Sequence, residues 1–263
     1  MISNAPLVSI ITPVYNSEIF IKATIESVLA QSFTNWELIL INDCSTDSSK
    51  VILEMYERSD KRIKLVNMAG NGGAARARNR GIEFSQGRFI AFLDSDDLWA
   101  KDKLEYQINY MLVNSVDFSF TSYDKMNDVG AVFEEIGVPE RVTYQQLLKI
   151  QVIGCLTAVY DTQHFGKIYM PDIRKRQDWG LWLTLLKKTK YAYGIQKSLA
   201  HYRVLNNSLS SNKLNSAVYT WKLFRDVEKL GIFRAIFYFS SYAVTSSLRS
   251  KWPSVARKLG FLH

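Results

Sequence analysis

The chain has 263 residues, 47% hydrophobic and 22% charged, which is enough to bury a sizeable core and excludes a composition-driven disordered segment. Thirty-three basic against 25 acidic residues leave a net charge of +8, suited to an anionic partner such as a nucleotide diphosphate, an acidic membrane surface or nucleic acid. Cys44 and Cys155 lack CxxC or metal-ligand spacing and read as buried thiols of a reducing compartment, no stretch reaches the ~18 to 20 apolar residues of a membrane span, and Met1 to Pro6 lacks a secretory pattern.

Leu7 to Thr12 reads as a first strand, and Ser17 as the cap of a helix whose apolar face is Ile21, Ile25, Val28 and Leu29. Glu37 to Ile41 makes a second strand; after the polar stretch Asn42 to Ser49, a helix carries Val51, Ile52 and Met55 inward. Ile63 to Val66 is a third strand, and a glycine-rich turn, Gly70 to Gly73, leads into a helix from about Ala74 to Phe84. Arg88 to Leu93 is the fourth strand, followed by a helix with Leu104, Ile108, Met111 and Leu112 on one side. This alternation predicts an α/β fold with a Rossmann-like, mostly parallel central sheet flanked by helices.

From Asp117 the alternation loosens. Asp117 to Ser122, Val129 to Glu134 and Leu156 to Tyr160 read as strand-like pieces, and Tyr144 to Lys149 as a short helix opened by Thr143 and Gln146 at capping-box spacing. A helix from roughly Trp179 to Lys188, the segment Lys197 to Val204 and a basic, aromatic helical tail from about Lys213 complete the chain. The expected division is a catalytic domain over 1–212, with a nucleotide-binding half at 1–100 and an acceptor half at 101–212, and a C-terminal helical extension at 213–263.

In open α/β sheets ligands bind beyond the carboxyl ends of the strands. Those ends carry Thr12, Pro13, Val14, Tyr15 and Asn16, then Asn42 and Asp43, then Asn67 to Gly73, then Asp94 to Asp97. Asp94-Ser95-Asp96 is a DxD triplet after a buried strand, with Asp97 a third carboxylate. Carboxylates this close repel unless a cation or donors intervene, so a hard ion, Mn²⁺ or Mg²⁺, suits them; the alternative is a helix cap for the segment before Leu104. Asp43 is placed to accept hydrogen bonds from a nucleotide, or to form a turn with Asn42, Cys44 and Ser45.

Arg76, Arg78 and Arg80 follow the glycine-rich turn and are candidates for a diphosphate, although successive even positions cannot share one helical face and at least one must be solvated. The same region, Gly70-Asn-Gly72-Gly-Ala-Ala75, matches a dinucleotide fingerprint and supplies the oxidoreductase alternative. It follows the third strand rather than the first, and the carboxylates on the same rim would repel a metal-free pyrophosphate. Asp178 sits at a helix start beside Trp179 and Trp182. Either it is an N-cap beside core tryptophans, or it is a general base with the Trp179 indole as a platform for an acceptor sugar.

Four segments, Val8-Ser-Ile-Ile-Thr-Pro-Val-Tyr-Asn16, Trp36-Glu-Leu-Ile-Leu-Ile-Asn-Asp43, Ala77-Arg-Asn-Arg-Gly81 and Phe92-Leu-Asp-Ser-Asp-Asp-Leu-Trp99, resemble in order and spacing the family 2 glycosyltransferases, inverting enzymes of the GT-A fold. The resemblance is strong over about the first hundred residues. It implies that Asp43 holds the nucleotide, with Thr12, Pro13, Tyr15, Asn16, Arg78, Asn79 and Ser95 around the nucleotide sugar, and that Asp94 and Asp96 handle metal and diphosphate. It makes Asp178 the base, with Gln177 standing where the family has Glu. His201-Tyr202-Arg203 and Asn206 to Ser211 resemble the segment near the donor diphosphate, which adds Arg203. The processive motif Gln-x-x-Arg-Trp is absent, which implies one sugar, or few, per encounter.

The expected activity is therefore inverting transfer from a nucleotide-diphosphate sugar, a UDP-sugar, to a glycan or lipid-linked acceptor in cell-surface polysaccharide synthesis. A catalytically inactive nucleotide-sugar binder is the alternative, and no nucleic-acid recognition motif is found. Trp221 to Leu262 mixes Lys, Arg, Trp, Tyr and Phe with little acidity, which suits a helix at a membrane interface; packing on the catalytic domain, or against a twin subunit in a homodimer, is the other reading. The expected location is cytoplasmic, at the inner face of the membrane.

Overall fold

The computed structural model describes residues 6–205 and 213–252. Its first half is a regular alternation: β1 (Val8–Val14), α1 (Ile21–Leu29), β2 (Trp36–Asn42), α2 (Ser49–Ser59), β3 (Ile63–Asn67), α3 (Gly73–Phe84) and β4 (Phe89–Phe92). The second half is less regular: β5 (Leu98–Trp99), α4 (Lys103–Asn114), β6 (Phe118–Met126), β7 (Val132–Ile136), β8 (Arg141–Val142), α5 (Tyr144–Lys149), β9 (Val159–Asp161), α6 (Thr162–Phe165), α7 (Gln177–Leu186) and β10 (Ala192–Arg203). The tail is α8 (Lys213–Lys222), a π-helical turn (Leu223–Val227) and α9 (Ile232–Lys251).

The strands form one sheet in the order β3-β2-β1-β4-β9-β6-β10-β5, with β7 on β6 and β8 on β10. Every pairing among β1 to β4 is parallel. Beyond β4 the pairings are antiparallel, except β6 with β10. The sheet is thus mixed, parallel where helices alternate with strands and antiparallel where short connections replace them.

Period-two alternation assigns side chains to opposite faces. Ile10, Leu38, Leu40, Phe89 and Ala91 pack with Ile21, Ile25, Leu53 and Leu104 of α1, α2 and α4. Ile90 and Phe92 pack on the other face with Trp182, Leu183 and the tail residues Leu223, Phe224, Ala235 and Tyr238. Ile39 and Ile41 meet Ala77 of α3. β2 is buried along its whole length, as expected for a parallel strand covered on both faces.

The expected phase of α2 is wrong by one step: Val51 and Met55 are exposed, and Ser49, Leu53 and Tyr56 are buried. The buried stripe begins with a polar residue, Ser49, whose hydroxyl accepts from the Ser17 amide at 2.8 Å. Ser17 does not cap α1 with its side chain; that helix starts at Ile21, and the Ser17 hydroxyl pairs instead with Ser95 at 2.7 Å. Leu112 is likewise exposed. The Thr143–Gln146 capping box forms as its spacing requires, whereas the strand expected from Val129 begins at Val132 and the segment from Lys197 belongs to a longer strand that starts at Ala192.

α3 lies close on the sheet because its inward face is small. A Cβ built at Gly81 would fall 2.4 Å from Ile11 Cγ2 and 3.2 Å from Ile41 Cδ1. Gly81→Ala should therefore destabilise the protein by about 1 to 3 kcal/mol through overpacking, despite the better helix propensity of alanine. Urea unfolding checks this, and an unchanged midpoint would contradict so close an approach.

Candidate active site

The carboxyl ends of β2, β1 and β4 bring Asp43, the Thr12–Asn16 turn and Asp94 to one rim. Asn16 takes a left-handed conformation with φ 48°. Its carboxamide oxygen accepts from the Thr46 amide at 2.8 Å, and its own amide donates to Ser45 Oγ at 3.2 Å. It thereby fixes the loop after β2 to the loop after β1. Tyr15 is exposed on this rim, Pro13 is partly buried, and Thr12 is fully buried with a hydroxyl lacking a hydrogen-bond partner among the described residues.

Asp43 is buried, and its two carboxylate oxygens accept from the Gly72 and Gly73 amides at 2.7 and 2.8 Å. The amides that a dinucleotide fingerprint would offer to a pyrophosphate are therefore bonded to a carboxylate of the chain itself. α3 then turns Arg78 inward, where its guanidinium pairs with Asp94. Burial works against the charge on Arg78, but the Asp94 carboxylate outweighs it and holds the guanidinium's pKa above its ordinary value. Arg76 and Arg80 are the solvated members of the expected trio, in exposed pairs with Asp172 and Glu83.

The acidic turn is held from both sides. Thr24 Oγ1 of α1 donates to the Ser95 and Asp97 carbonyls at 3.0 and 2.9 Å. From β10, the Arg203 amide donates to Asp97 Oδ1 at 2.8 Å, and its Nε donates to the Asp96 carbonyl at 2.8 Å. Its Nη1 donates to the Asn127 and Asp128 carbonyls. Arg203 is buried in these contacts and organises the backbone of the acidic turn. Asn206 to Ser211 lie outside the described residues.

A cavity of about 300 Å³ opens beside Asp94 and Asp97, lined also by Asp178, Cys155, Tyr123, Tyr202, Arg176 and Arg249. Asp43 is not part of it. The parallel order β2-β1-β4 separates the ends of β2 and β4 by two strand spacings, roughly 10 Å. Asp43 thus stands on the rim about two strands from Asp94, which lines the cavity together with Asp178. α3 spans the two, with its first amides on Asp43 and Arg78 on Asp94.

Two expected contacts are corrected. Trp179 is fully buried, its indole donates to the Leu147 carbonyl at 3.1 Å and its ring packs on Phe224, so it offers no platform to an acceptor. Asn79 uses both ends of its amide on the Met170 backbone, at 2.8 and 2.7 Å, and clamps that segment to α3 rather than facing a nucleotide. Of the cavity residues that sequence reasoning missed, Arg176 could have been found as the neighbour of Asp178 in sequence. Arg249 arrives from α9 and leaves no local signal.

The profile of Glycosyl transferase family 2 matches residues 9–160. The chain belongs to this family. TuaG of Bacillus subtilis (strain 168), named for teichuronic acid biosynthesis, is 49% identical over 239 residues, covering 90% of this chain and 95% of that protein. The Escherichia coli UDP-Glc:α-D-GlcNAc-diphosphoundecaprenol β-1,3-glucosyltransferase WfgD is 40% identical over 239 residues, 90% and 92% of the two chains. Residues 1–349 of S. aureus TarS, solved with UDP-GlcNAc, superpose with a TM-score of 0.70 at 19% identity, over 93% of this chain and 74% of that one. The mannosyltransferase PcManGT of Pyrobaculum calidifontis, solved with GDP-Man and Mn²⁺, gives 0.66 at 15% identity, over 97% and 79%. The fold of this family 2 glycosyltransferase is thus GT-A.

Electrostatics in the acidic turn follow from burial. Asp96 is pushed up to about 6 by burial and then by the neighbouring Asp94 charge. Asp97 is held well above the carboxylate range by burial, with Asp96 and Asp94 adding to it. Burial also raises Asp178, opposed chiefly by Arg78. Because the native state holds the Asp96 proton more tightly than the unfolded chain, the stability from this group is fullest below the ordinary carboxylate pKa and is lost as pH rises through about 6. Asp96→Asn should therefore stabilise the ligand-free protein at pH 8 by about 1 to 2 kcal/mol. Urea titrations should show the gain fading toward pH 4, and a loss of stability at pH 8 would contradict the sign.

Proposed function

We propose that this family 2 glycosyltransferase moves a sugar from a UDP-sugar to a hydroxyl of a lipid-linked glycan, with inversion, in cell-surface polysaccharide synthesis. The observation that carries the reading is the cavity shared by Asp178 and Asp94, which sets a candidate base beside the acidic turn where the donor diphosphate would lie. The relatives named for polysaccharide and lipid-diphosphate substrates support the acceptor class, and the UDP-GlcNAc complex of a structural neighbour supports the donor.

The acidic turn fits a divalent cation. Asp94 and Asp96 offer hard oxygens, and a cation would offset both the burial of Asp96 and the neighbouring Asp94 charge, which together raise its pKa. Among the described residues no group of three or more His, Cys, Asp or Glu side chains could hold an ion. That suits an Mg²⁺- or Mn²⁺-type site, in which one or two carboxylates share the metal with substrate phosphates. When bound, the ion would supply charge stabilisation to the departing diphosphate.

Asp43, fixed by the Gly72 and Gly73 amides, has lone pairs left to accept from the nucleoside, with Tyr15 exposed beside it. Arg78 pairs with Asp94 and orients its carboxylate. Asp178, at the start of α7, takes the proton of the acceptor hydroxyl as that oxygen attacks the anomeric carbon opposite the leaving group. Burial raises its pKa, which strengthens it as a base. Gln177 is buried with its carboxamide oxygen unpartnered among the described residues and carries no proton-transfer role here.

α9 gives the membrane reading a surface. Ala235, Tyr238 and Thr245 face the protein, while Phe233, Ile236, Phe237 and Val244 are exposed and Arg234 lies among them. No helix of the described residues is long and apolar enough to cross a membrane. We therefore place this face in the interface of the inner leaflet, where the lipid-linked acceptor resides.

Asp178→Asn should lower transfer by about 10² to 10⁴ while leaving UDP binding with Mn²⁺ intact; transfer at the parental rate would exclude Asp178 as the base. Replacing both Phe233 and Phe237 by Glu should abolish co-sedimentation with anionic vesicles. If vesicle binding persists, or if the parental protein is instead a dimer that this change dissociates, the membrane role of α9 is refuted.

A further inference from the structure

The cavity beside Asp178 contains two arginines that the reaction described above does not use. Arg176 immediately precedes α7 in a left-handed conformation, φ 67°. Its guanidinium donates to the Tyr242 hydroxyl and lies against the Trp179 and Tyr242 rings. Arg249 comes from the last turn of α9, 73 residues later in sequence, and donates through Nη1 to the Gln151 carbonyl at 3.2 Å. Both line the same cavity as Asp94 and Asp178.

These guanidinium groups differ from Arg78 and Arg203. Arg78 is matched to the Asp94 carboxylate, and the Arg203 side chain bonds three backbone carbonyls. Among the described residues neither Arg176 nor Arg249 has a carboxylate within ion-pair distance, and their hydrogen bonds use one N–H of each. A guanidinium has five N–H donors in a rigid fork, so both keep donors for a ligand. Burial pushes the Arg249 pKa down, the signature of a cation without a full counter-ion.

We propose that Arg176 and Arg249 form a recognition site for the phosphate groups of the acceptor, separate from the site of the donor diphosphate. The inference rests on the reading that Asp178 meets the acceptor hydroxyl. An acceptor sugar carried on a diphosphate places its nearest phosphate about one sugar ring, roughly 5 Å, from that hydroxyl. A cavity of about 300 Å³ holds both within reach of one ligand. Forked donors suit phosphate oxygens in pairs. α9 then joins two tasks, since its outer side chains are apolar and its final turn delivers Arg249, so a lipid diphosphate could keep its chain at the membrane and its headgroup in the cavity.

The test is calorimetric titration with UDP and Mn²⁺ saturating the donor site, using three probes: decyl diphosphate, N-acetylglucosaminyl decyl diphosphate and methyl N-acetylglucosaminide. The parental protein should bind both diphosphates and prefer them to the neutral glycoside. Arg249→Gln and Arg176→Gln should each weaken the diphosphates about ten- to a hundredfold, the range for a lost charge-assisted hydrogen bond, and leave the glycoside and UDP unchanged. Arg249→Lys should recover most of the loss at that position.

Unchanged diphosphate binding in both Gln variants overturns the proposal. So does an Arg249→Gln loss that extends to UDP or that Arg249→Lys does not recover, because it would report damage to α9 rather than a missing charge. Failure of the parental protein to bind UDP with Mn²⁺ would instead sink the donor reading, and the decyl diphosphate titration would still decide the role of the two arginines.

Discussion

The site depends on the buried ion pair between Arg78 and Asp94. Asp94, Asp96 and Asp97 stand within four residues, two of them with raised pKa values, and such a cluster is unfavourable unless positive charge lies close by. Arg78 supplies it from beneath, because the small inner face of α3 lets that helix approach β1 closely enough for the guanidinium to reach the end of β4. Arg203 supplies a second positive charge and binds the turn's backbone from β10. Between these two cations the turn holds its three carboxylates close together.

The same helix couples the Asp43 rim to the cavity. Its first amides bond Asp43, its second turn carries Arg78, and Asn79 clamps the backbone at Met170. Met170 leads into the segment that ends at α7, where Gly180 packs against Pro171 so closely that a Cβ would sit 2.5 Å from its ring. One helix therefore sets the spacing of Asp43, the acidic turn and Asp178.

Much of this was legible in the sequence because short-range rules fixed it. The strand and helix alternation through Leu93 reports burial on both faces of a parallel sheet, and the capping box at Thr143 reports itself. The rim residues were legible because loops at strand ends carry them. What was hidden depends on distant partners. Ser49 masks the phase of α2 because its buried hydroxyl is made acceptable by partners outside the helix, the Ser17 amide and the Asp47 carboxylate. Trp179 looks like an exposed platform until Leu147 and Phe224 close over it. Asn79 looks like a ligand contact but serves the backbone of Met170, and Arg203 binds backbone carbonyls some 75 to 107 residues away. The antiparallel half of the sheet was least legible, since β5 and β8 are two-residue strands with no periodicity to detect.

The cavity draws its chemistry and its shape from different parts of the chain. Asp94 and Asp97 stand in the turn between β4 and β5 and Asp178 in the first turn of α7, whereas Gly137 and the stretch from Gln151 to Gly154 belong to connections between other elements. Remodelling those connections would alter which sugar is admitted and which of its hydroxyls is presented, without disturbing the carboxylates. A scaffold divided in this way lends itself to diversification, with new linkages reached by exchanging wall segments over an unchanged reaction centre.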